Sequence, residues 1–336
     1  MTARLFGQLP DGTAVHEVTL AAGELTVSVL TLGAIIRDIR LAGLGHPLVL
    51  GFENAPDYLQ SPYFGALVGR YGNRIAGGRF AIDGVKYQVT PNERGKTHLH
   101  GGKVGFSHRV WSLVEDTPDS VTLALTSPDG EEGFPGEVRA TVTYAIVAPA
   151  TIRMQATATT TAPTVVNLVQ HSYFNLDDSA DILDHRLQIF ASAYTPTDAD
   201  LVPTGEILSV AGSNFDFRAV RPVRRLRGSE RIVYDKNFVV DRARAPSPRQ
   251  HAKLASAKNG VTLTVESTEP GLQFYDGSYI DLAIPGLGGR RYGHNAGVCL
   301  EPQVFPDAPN HPNFPSAVLR PGETYRQVST FSFDRR

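Results

Sequence analysis

Ser120-Val121-Thr122-Leu123-Ala124-Leu125-Thr126 and Val138-Arg139-Ala140-Thr141-Val142-Thr143-Tyr144 decide the fold class of this chain. Apolar and polar residues alternate along much of both stretches with a period of two, as in a strand that buries one face. Between them, Pro128-Asp129-Gly130 is turn chemistry, because proline presets one backbone angle and glycine tolerates a positive one. Moving outward, Leu25-Thr26-Val27-Ser28-Val29-Leu30 and Val261-Thr262-Leu263-Thr264-Val265-Glu266 read the same way, at least in part. Pro10-Asp11-Gly12, Asp83-Gly84, Asn259-Gly260 and Pro321-Gly322 punctuate the remainder. Helical periodicity is nearly absent, and one short turn is expected over Ala55 to Gln60, capped by Asn54. Many short strands with Gly/Pro turns make an all-β protein, an antiparallel sandwich or barrel. Strand signals run from end to end without a linker or a repeat, so residues 1–336 are expected to form a single domain.

Composition narrows the function classes. Hydrophobic residues make up 41% of the 336 and charged residues 20%, which supports a sizeable core. Thirty-two Lys and Arg face 34 acids, for a formal charge of -2, without the basic excess expected of a nucleic-acid or membrane-surface binder. The single cysteine, Cys299, excludes an internal disulfide framework and CxxC metal sites. No apolar run approaches the ~20 residues of a membrane span, and Met1 to Pro10 does not read as a signal peptide, so a cytoplasmic location is expected. Arg218, Arg221, Arg224, Arg225, Arg227 and Arg231 cluster near Pro222 and Gly228, where a solvated loop face outweighs a phosphate site.

Chemistry gathers around Val298-Cys299-Leu300-Glu301-Pro302-Gln303. Alternation puts Cys299 and Glu301 on one face and Val298 and Leu300 on the other. Pro302 cannot donate to a ladder, so the strand is expected to end or fray after Glu301. The proline-rich Phe305 to Pro312 then reads as a stiff loop roofing the carboxylate, an arrangement suited to a general base. Gly69-Arg70-Tyr71-Gly72-Asn73-Arg74-Ile75 lacks dinucleotide-loop spacing. Asn73 and Arg74 either offer donors to sugar hydroxyls or clamp a loop. His98 and His100 would share a strand face, ~6–7 Å apart; with His171, Asp235 or Glu301 they could hold a metal, or one imidazole could bind substrate while the other packs. Gly101 and Gly102 would let a ligand approach the backbone. His171 sits among Gln170, Ser172, Tyr173 and Asn175, good hydrogen-bonding company, but a Ser172–His171 nucleophile pair fails because neighbouring strand residues face opposite ways. Asp235 either pairs with a cation or accepts from a ligand hydroxyl, and Gln273, among aromatics, needs an amide partner if buried.

Taken together, these segments resemble the aldose 1-epimerase (galactose mutarotase) family over nearly the whole chain. The resemblance rests on Gly69 to Ile75 with Gly78-Arg79-Phe80, Leu99-His100-Gly101-Gly102, His171-Ser172-Tyr173-Phe174-Asn175-Leu176, Tyr234-Asp235, Gln273-Phe274-Tyr275, Glu301 and Phe305-Pro306-Asp307, in the family's order. It implies a large antiparallel β-sandwich with a sugar pocket, no cofactor and no metal. It further implies Glu301 as general base and His171 as general acid, with Asn73, Arg74, His100, Tyr173, Asp235 and Gln273 lining a monosaccharide site. Pro302, Lys236 and Asp276 depart from the family's usual threonine, histidine and small polar residue, and leave the preferred aldose open.

The implied reaction opens the hemiacetal ring: a base takes the C1 hydroxyl proton while an acid protonates the ring oxygen, and closure reverses the roles. It involves no net redox change and needs no cofactor. Because an ordinary histidine is mostly neutral at pH 7, a carboxylate (Glu301 or Asp235) is expected to raise the His171 pKa. The rival readings are a metal enzyme built on His98, His100 and His171, a non-catalytic sugar binder, and a sugar-phosphate epimerase gripping phosphate with the arginine cluster or with Gly286 to Arg291. A monosaccharide is the expected partner, with no nucleic acid and no membrane, for a monomer or homodimer.

Overall fold

The computed structural model describes residues 3–224, 226–227 and 230–335, and among these it contains strands and short 3-10 turns but no α-helix. The two stretches that decide the fold class are adjacent antiparallel strands, Ser120–Ser127 and Val138–Val147, with Leu123 opposite Val142. They belong to a nine-stranded sheet that continues through Thr151–Thr160, Tyr325–Arg335, Val261–Ser267, Arg249–Ala255, Arg186–Ile189 and Arg221–Pro222, with Ser112–Asp116 at the other edge. A four-stranded meander, Ala3–Gln8, Ala14–Ala22, Leu25–Leu30 and Ile36–Leu41, forms a second sheet. A six-stranded sheet runs Tyr173–Phe174, Val298–Gln303, Gly271–Tyr275, Asp235–Val239, Ala193–Thr195, Leu208–Ser209.

One apolar cluster draws on all three sheets: Val27 and Ile39 from the meander, Leu123, Val142 and Leu263 from the nine-stranded sheet, Phe238, Phe274 and Leu300 from the six-stranded one. The inward faces of period-two strands meet there, as in a sandwich. Asp83-Gly84 makes a hairpin turn with both residues at positive φ, between strands Arg79–Ile82 and Val85–Gln88. The short turn predicted after Asn54 is a 3-10 helix over Ala55–Leu59.

Two local expectations fail. The strand Val298–Gln303 does not end at Glu301; it pairs through Pro302 opposite Leu272 and Gln303 opposite Gly271. The Pro302 carbonyl accepts from Gln327 Nε2 (3.2 Å) on the side away from that partner strand, so the missing N–H interrupts no ladder bond. The loop beyond it does not roof Glu301. Val304, Phe305 and Ala308 pack in a separate apolar cluster, while the Asp307 N–H donates to the Arg74 carbonyl (2.8 Å) and its Oδ1 accepts from Ala76 N (2.9 Å). The loop is a brace behind the Asn73–Arg74 segment.

Leu300 is 1% exposed and points from the site strand into the shared core. Leu300→Ala is expected to cost about 2–5 kcal/mol of unfolding free energy, measured by denaturant titration, with the unfolding slope unchanged.

Candidate active site

The second face of the six-stranded sheet carries the polar residues. Glu301 stands opposite Gln273, and Gln273 opposite Asn237; Cys299 stands opposite Tyr275 on one side and Tyr173 on the other. Above this face lies a cavity of about 310 Å³ lined by Tyr63, Asn73, Arg74, Glu93, Arg94, Leu99, His100, His171, Tyr173, Leu201, Asp235, Gln273, Tyr275, Tyr279 and Glu301. All eight residues singled out in the sequence, from six separate segments, therefore meet around one cavity of small-ligand size.

His171 lies between two short strands, Val169–Gln170 and Tyr173–Phe174, and its backbone is tied twice to one neighbouring segment, donating to Ala66 O (2.9 Å) and accepting from Gly65 N (3.0 Å). Tyr173 stacks on its ring at 5.0 Å and His100 meets it edge-on at 5.2 Å. With its plane so fixed, the imidazole spans two residues of the facing strand: Nδ1 lies 3.5 Å from Cys299 Sγ, and Nε2 lies 3.7 Å from Glu301 Oε2. Burial pushes the Glu301 carboxyl well above the usual carboxylate range, and the Asp235 charge adds to the rise. Burial also pushes His171 down to about 4, so the expected upward shift of the imidazole does not occur. Desolvation of a fully enclosed ring outweighs a carboxylate that is itself inclined to be neutral.

A directional chain of amides fixes the rest of the floor. Asp235 only accepts, so Gln273 turns its Nε2 toward it; the Gln273 Oε1 then accepts from Gln303 Nε2 (3.1 Å), and Gln303 Oε1 accepts from Asn73 Nδ2 (3.4 Å). Asn73, at φ 64°, accepts from the Arg74 N–H with its Oδ1 (2.9 Å). Arg74 both clamps and lines: it grips Glu93 through Nε (2.7 Å) and Nη2 (2.8 Å), while its Nη1 lies 3.8 Å from Asp235 Oδ2. Burial pushes the Glu93 carboxyl up, but the guanidinium outweighs it and holds the group below its ordinary range. The purely structural arginine is Arg70, whose guanidinium donates to the carbonyls of Ser127, Pro128, Pro135 and Gly136.

The two histidines of His98-Leu99-His100 do not share a face. His100 takes a positive φ of 51°, which ends the strand at Leu99 and turns its ring into the cavity. His98 packs edge-on against Phe134 (5.1 Å) with Nδ1 2.8 Å from Thr90 O, so the metal trio of His98, His100 and His171 is not assembled. Gly101 serves the chain itself: a Cβ there would lie 1.7 Å from Gly69 O. Asp276 is structural, accepting from the N–H groups of Tyr234 (3.2 Å) and Ser278 (3.1 Å). Lys236 donates to Thr197 Oγ1 outside the cavity lining. Arg218 pairs with Asp216 and Arg224 with Asp184, away from the cavity, and Arg225 lies outside the described residues. Tyr63, Glu93, Leu201 and Tyr279 were not singled out in the sequence. Glu93, three residues before a lysine in Asn92-Glu93-Arg94-Gly95-Lys96, looks like any solvated turn until Arg74 is placed beside it.

Residues 16–332 match the family described as aldose 1-epimerase. The chain belongs to the aldose 1-epimerase family. It is 40% identical over 344 aligned positions to galactose mutarotase of Rattus norvegicus, across 99% of this chain and 98% of that one. It is 35% identical over 343 positions to aldose 1-epimerase of Escherichia coli (strain K12), across 96% of both. An aldose epimerase homologue from C. elegans superposes with a TM-score of 0.89 at 29% identity, covering 96% of this chain and 99% of that one. A galactose 1-epimerase from Lactobacillus acidophilus gives 0.84 at 25% identity, over 99% and 98%. This member of the family is thus an isomerase, and its fold is the galactose mutarotase-like β-sandwich that its sequence motifs imply.

Because the Asn73 N–H can only donate, His100 Nδ1 must accept (3.1 Å), which leaves the neutral ring's proton on Nε2; burial holds this imidazole well below its ordinary pKa. Nitrogen-15 NMR of the imidazoles should find His100 neutral, in the Nε2–H tautomer, and His171 neutral at pH 7, with neither titrating near the ~6.5 of an exposed histidine.

Proposed function

We propose that this isomerase interconverts the α and β anomers of a free aldose such as galactose or glucose, using His171 and Glu301 as its acid/base pair. The observation that carries the reading is the 3.7 Å approach of His171 Nε2 to Glu301 Oε2 on the floor of a cavity lined by hydroxyl-binding groups. The cavity of about 310 Å³ suits one monosaccharide ring. Arg74 and His100 supply donors, Asp235 supplies an acceptor, and Gln273 and Asn73 are amides whose orientation the network sets. Tyr63 and Tyr173 add aromatic wall to the cavity.

Glu301 takes the C1 hydroxyl proton while His171 gives one to the ring oxygen; the C1–O5 bond breaks, the C1–C2 bond rotates, and closure on the other carbonyl face returns both protons. The pair carries one proton before and after each half-reaction. In the sugar-free cavity burial favours the neutral arrangement, with that proton on Glu301. The catalytic arrangement, carboxylate beside imidazolium, has the same net charge, so moving the proton within the pair costs no exchange with solvent. Hydroxyl groups of a bound sugar replace water as partners for the separated charges. In polarimetry with fresh α-D-galactose, Glu301→Gln and His171→Asn should each lower kcat by about 10²–10⁴-fold with the far-ultraviolet circular dichroism unchanged. Full activity in either, or a wild-type protein that leaves the relaxation rate unaltered as a mere sugar binder would, refutes the assignment.

The pH profile of kcat/KM should be bell-shaped, with limbs that belong to the pair. A second proton enters only as the pH falls through the depressed His171 value, about 4, so the acid limb lies in that region. The alkaline limb marks loss of the single shared proton, and the raised Glu301 value moves it above where an ordinary carboxylate would place it. A profile that drops near the pKa of an ordinary histidine instead would contradict the buried-pair account.

A further inference from the structure

The acid/base chemistry has no use for a thiol, yet the chain's one cysteine packs against the His171 imidazole, beneath the residues that line the cavity. Cys299 is fully buried two residues before Glu301 on the same strand face, with Sγ 3.5 Å from His171 Nδ1. One ligand atom each from His171, Cys299 and Glu301 lies within 4.8 Å of the other two; among the described residues this is the one such group of His, Cys, Asp or Glu close enough to hold an ion. A tetrahedral zinc ion bound to sulfur, nitrogen and oxygen at about 2.0–2.3 Å sets its ligand atoms about 3.3–3.8 Å apart. The 3.5 Å between Cys299 Sγ and His171 Nδ1 falls in that range and makes Nδ1 the ligating nitrogen, whereas the 3.7 Å approach of Glu301 Oε2 is to Nε2 across the ring, so the carboxylate must turn to reach the ion.

We propose that His171, Cys299 and Glu301 bind a thiophilic divalent cation of the zinc type, and that the bound ion closes the cavity to sugar. The thiol proton leaves to solvent as the sulfur–metal bond forms. The carboxylate and one imidazole lone pair supply two further bonds, and water takes the fourth position toward the cavity. Only one ring nitrogen can ligate, and Glu301, with the most side-chain torsions of the three, adjusts to meet the ion. A thiolate and a carboxylate balance the dication, so the complex brings no net charge into the buried floor. The thiolate selects against magnesium and calcium, which take oxygen ligands. With both proton-transfer groups occupied, the ion acts as an inhibitor competitive with sugar. That consequence rests on the acid/base reading above, whereas the binding site does not.

Cobalt(II) takes zinc's place and reports a bound thiolate through a sulfur-to-metal charge-transfer band in the near ultraviolet, so it tests the site independently of turnover. Titrated into the full-length protein, Co²⁺ should raise this band to one equivalent in the wild type and not in Cys299→Ser, and excess Zn²⁺ should remove it. In parallel, Zn²⁺ should slow D-galactose mutarotation reversibly, a chelator should restore it, and Cys299→Ser should need at least about tenfold more Zn²⁺ for the same inhibition. If Cys299→Ser loses its near-ultraviolet circular dichroism, Cys299→Ala replaces it. Absence of the thiolate band, its persistence in the cysteine variant, or equal Zn²⁺ inhibition of both proteins overturns the proposal. A band in a protein that never accelerates mutarotation supports the metal site and overturns the acid/base reading instead.

Discussion

A single antiparallel register holds the site together. With Glu301 opposite Gln273 and Gln273 opposite Asn237, every second residue of three adjacent strands faces the same way. That face carries Cys299, Glu301, Gln303, Gln273 and Asp235, of which Glu301, Gln273 and Asp235 line the cavity, and the opposite face carries Val298, Leu300, Leu272, Phe274 and Phe238 in the core. A slip of one residue would send the carboxylates into the core and the leucines into the cavity. The hydrophobic effect that packs the sandwich therefore also aims the polar side chains at the cavity, and the core residues of these strands help to position them although none lines it.

The same burial sets the electrostatics. Glu301 and His171 are both pushed toward their neutral forms because the sheet, the stacked Tyr173 and the edge-on His100 leave little water around them. Charge is tolerated nearby only where it is closely paired, as Arg74 is by Glu93. The Arg74–Glu93 pair holds its charges in the cavity wall, whereas Glu301 and His171 are both driven toward neutrality. The amide chain from Asp235 to Asn73 settles which end of each side chain faces its neighbour, so the donors and acceptors offered to a ligand are preset.

Much of this was legible in the chain. Period-two alternation in Ser120–Ser127, Val138–Val147 and Val261–Ser267 corresponds to the observed strands with boundaries shifted by a few residues at most. The two-faced reading of Val298–Leu300 holds in the packing. The readings that failed share a cause. Strand alternation was carried one residue too far at His98-Leu99-His100, where the backbone turns left-handed to pass Gly101 against Gly69. It was stopped too early at Pro302, whose unbonded side faces away from its neighbour strand. Both depend on what lies across the chain, which local spacing does not encode. The raised imidazole pKa failed for the same reason: it counted the charge nearby and not the solvent removed.

By itself, the sequence determined the all-β class, most strand faces and, through motifs in a fixed order, the family and a set of residues that meet around one cavity. Those properties are local or cumulative along the chain, since alternation and turn chemistry act over a few residues. Only the tertiary structure decided that Glu93 secures Arg74, that Gln303 links Asn73 to Gln273, and that Cys299 lies against the imidazole beside Glu301. Each of these contacts joins segments far apart in the chain, and its strength comes from exclusion of water, which exists only after the sheets have closed on one another.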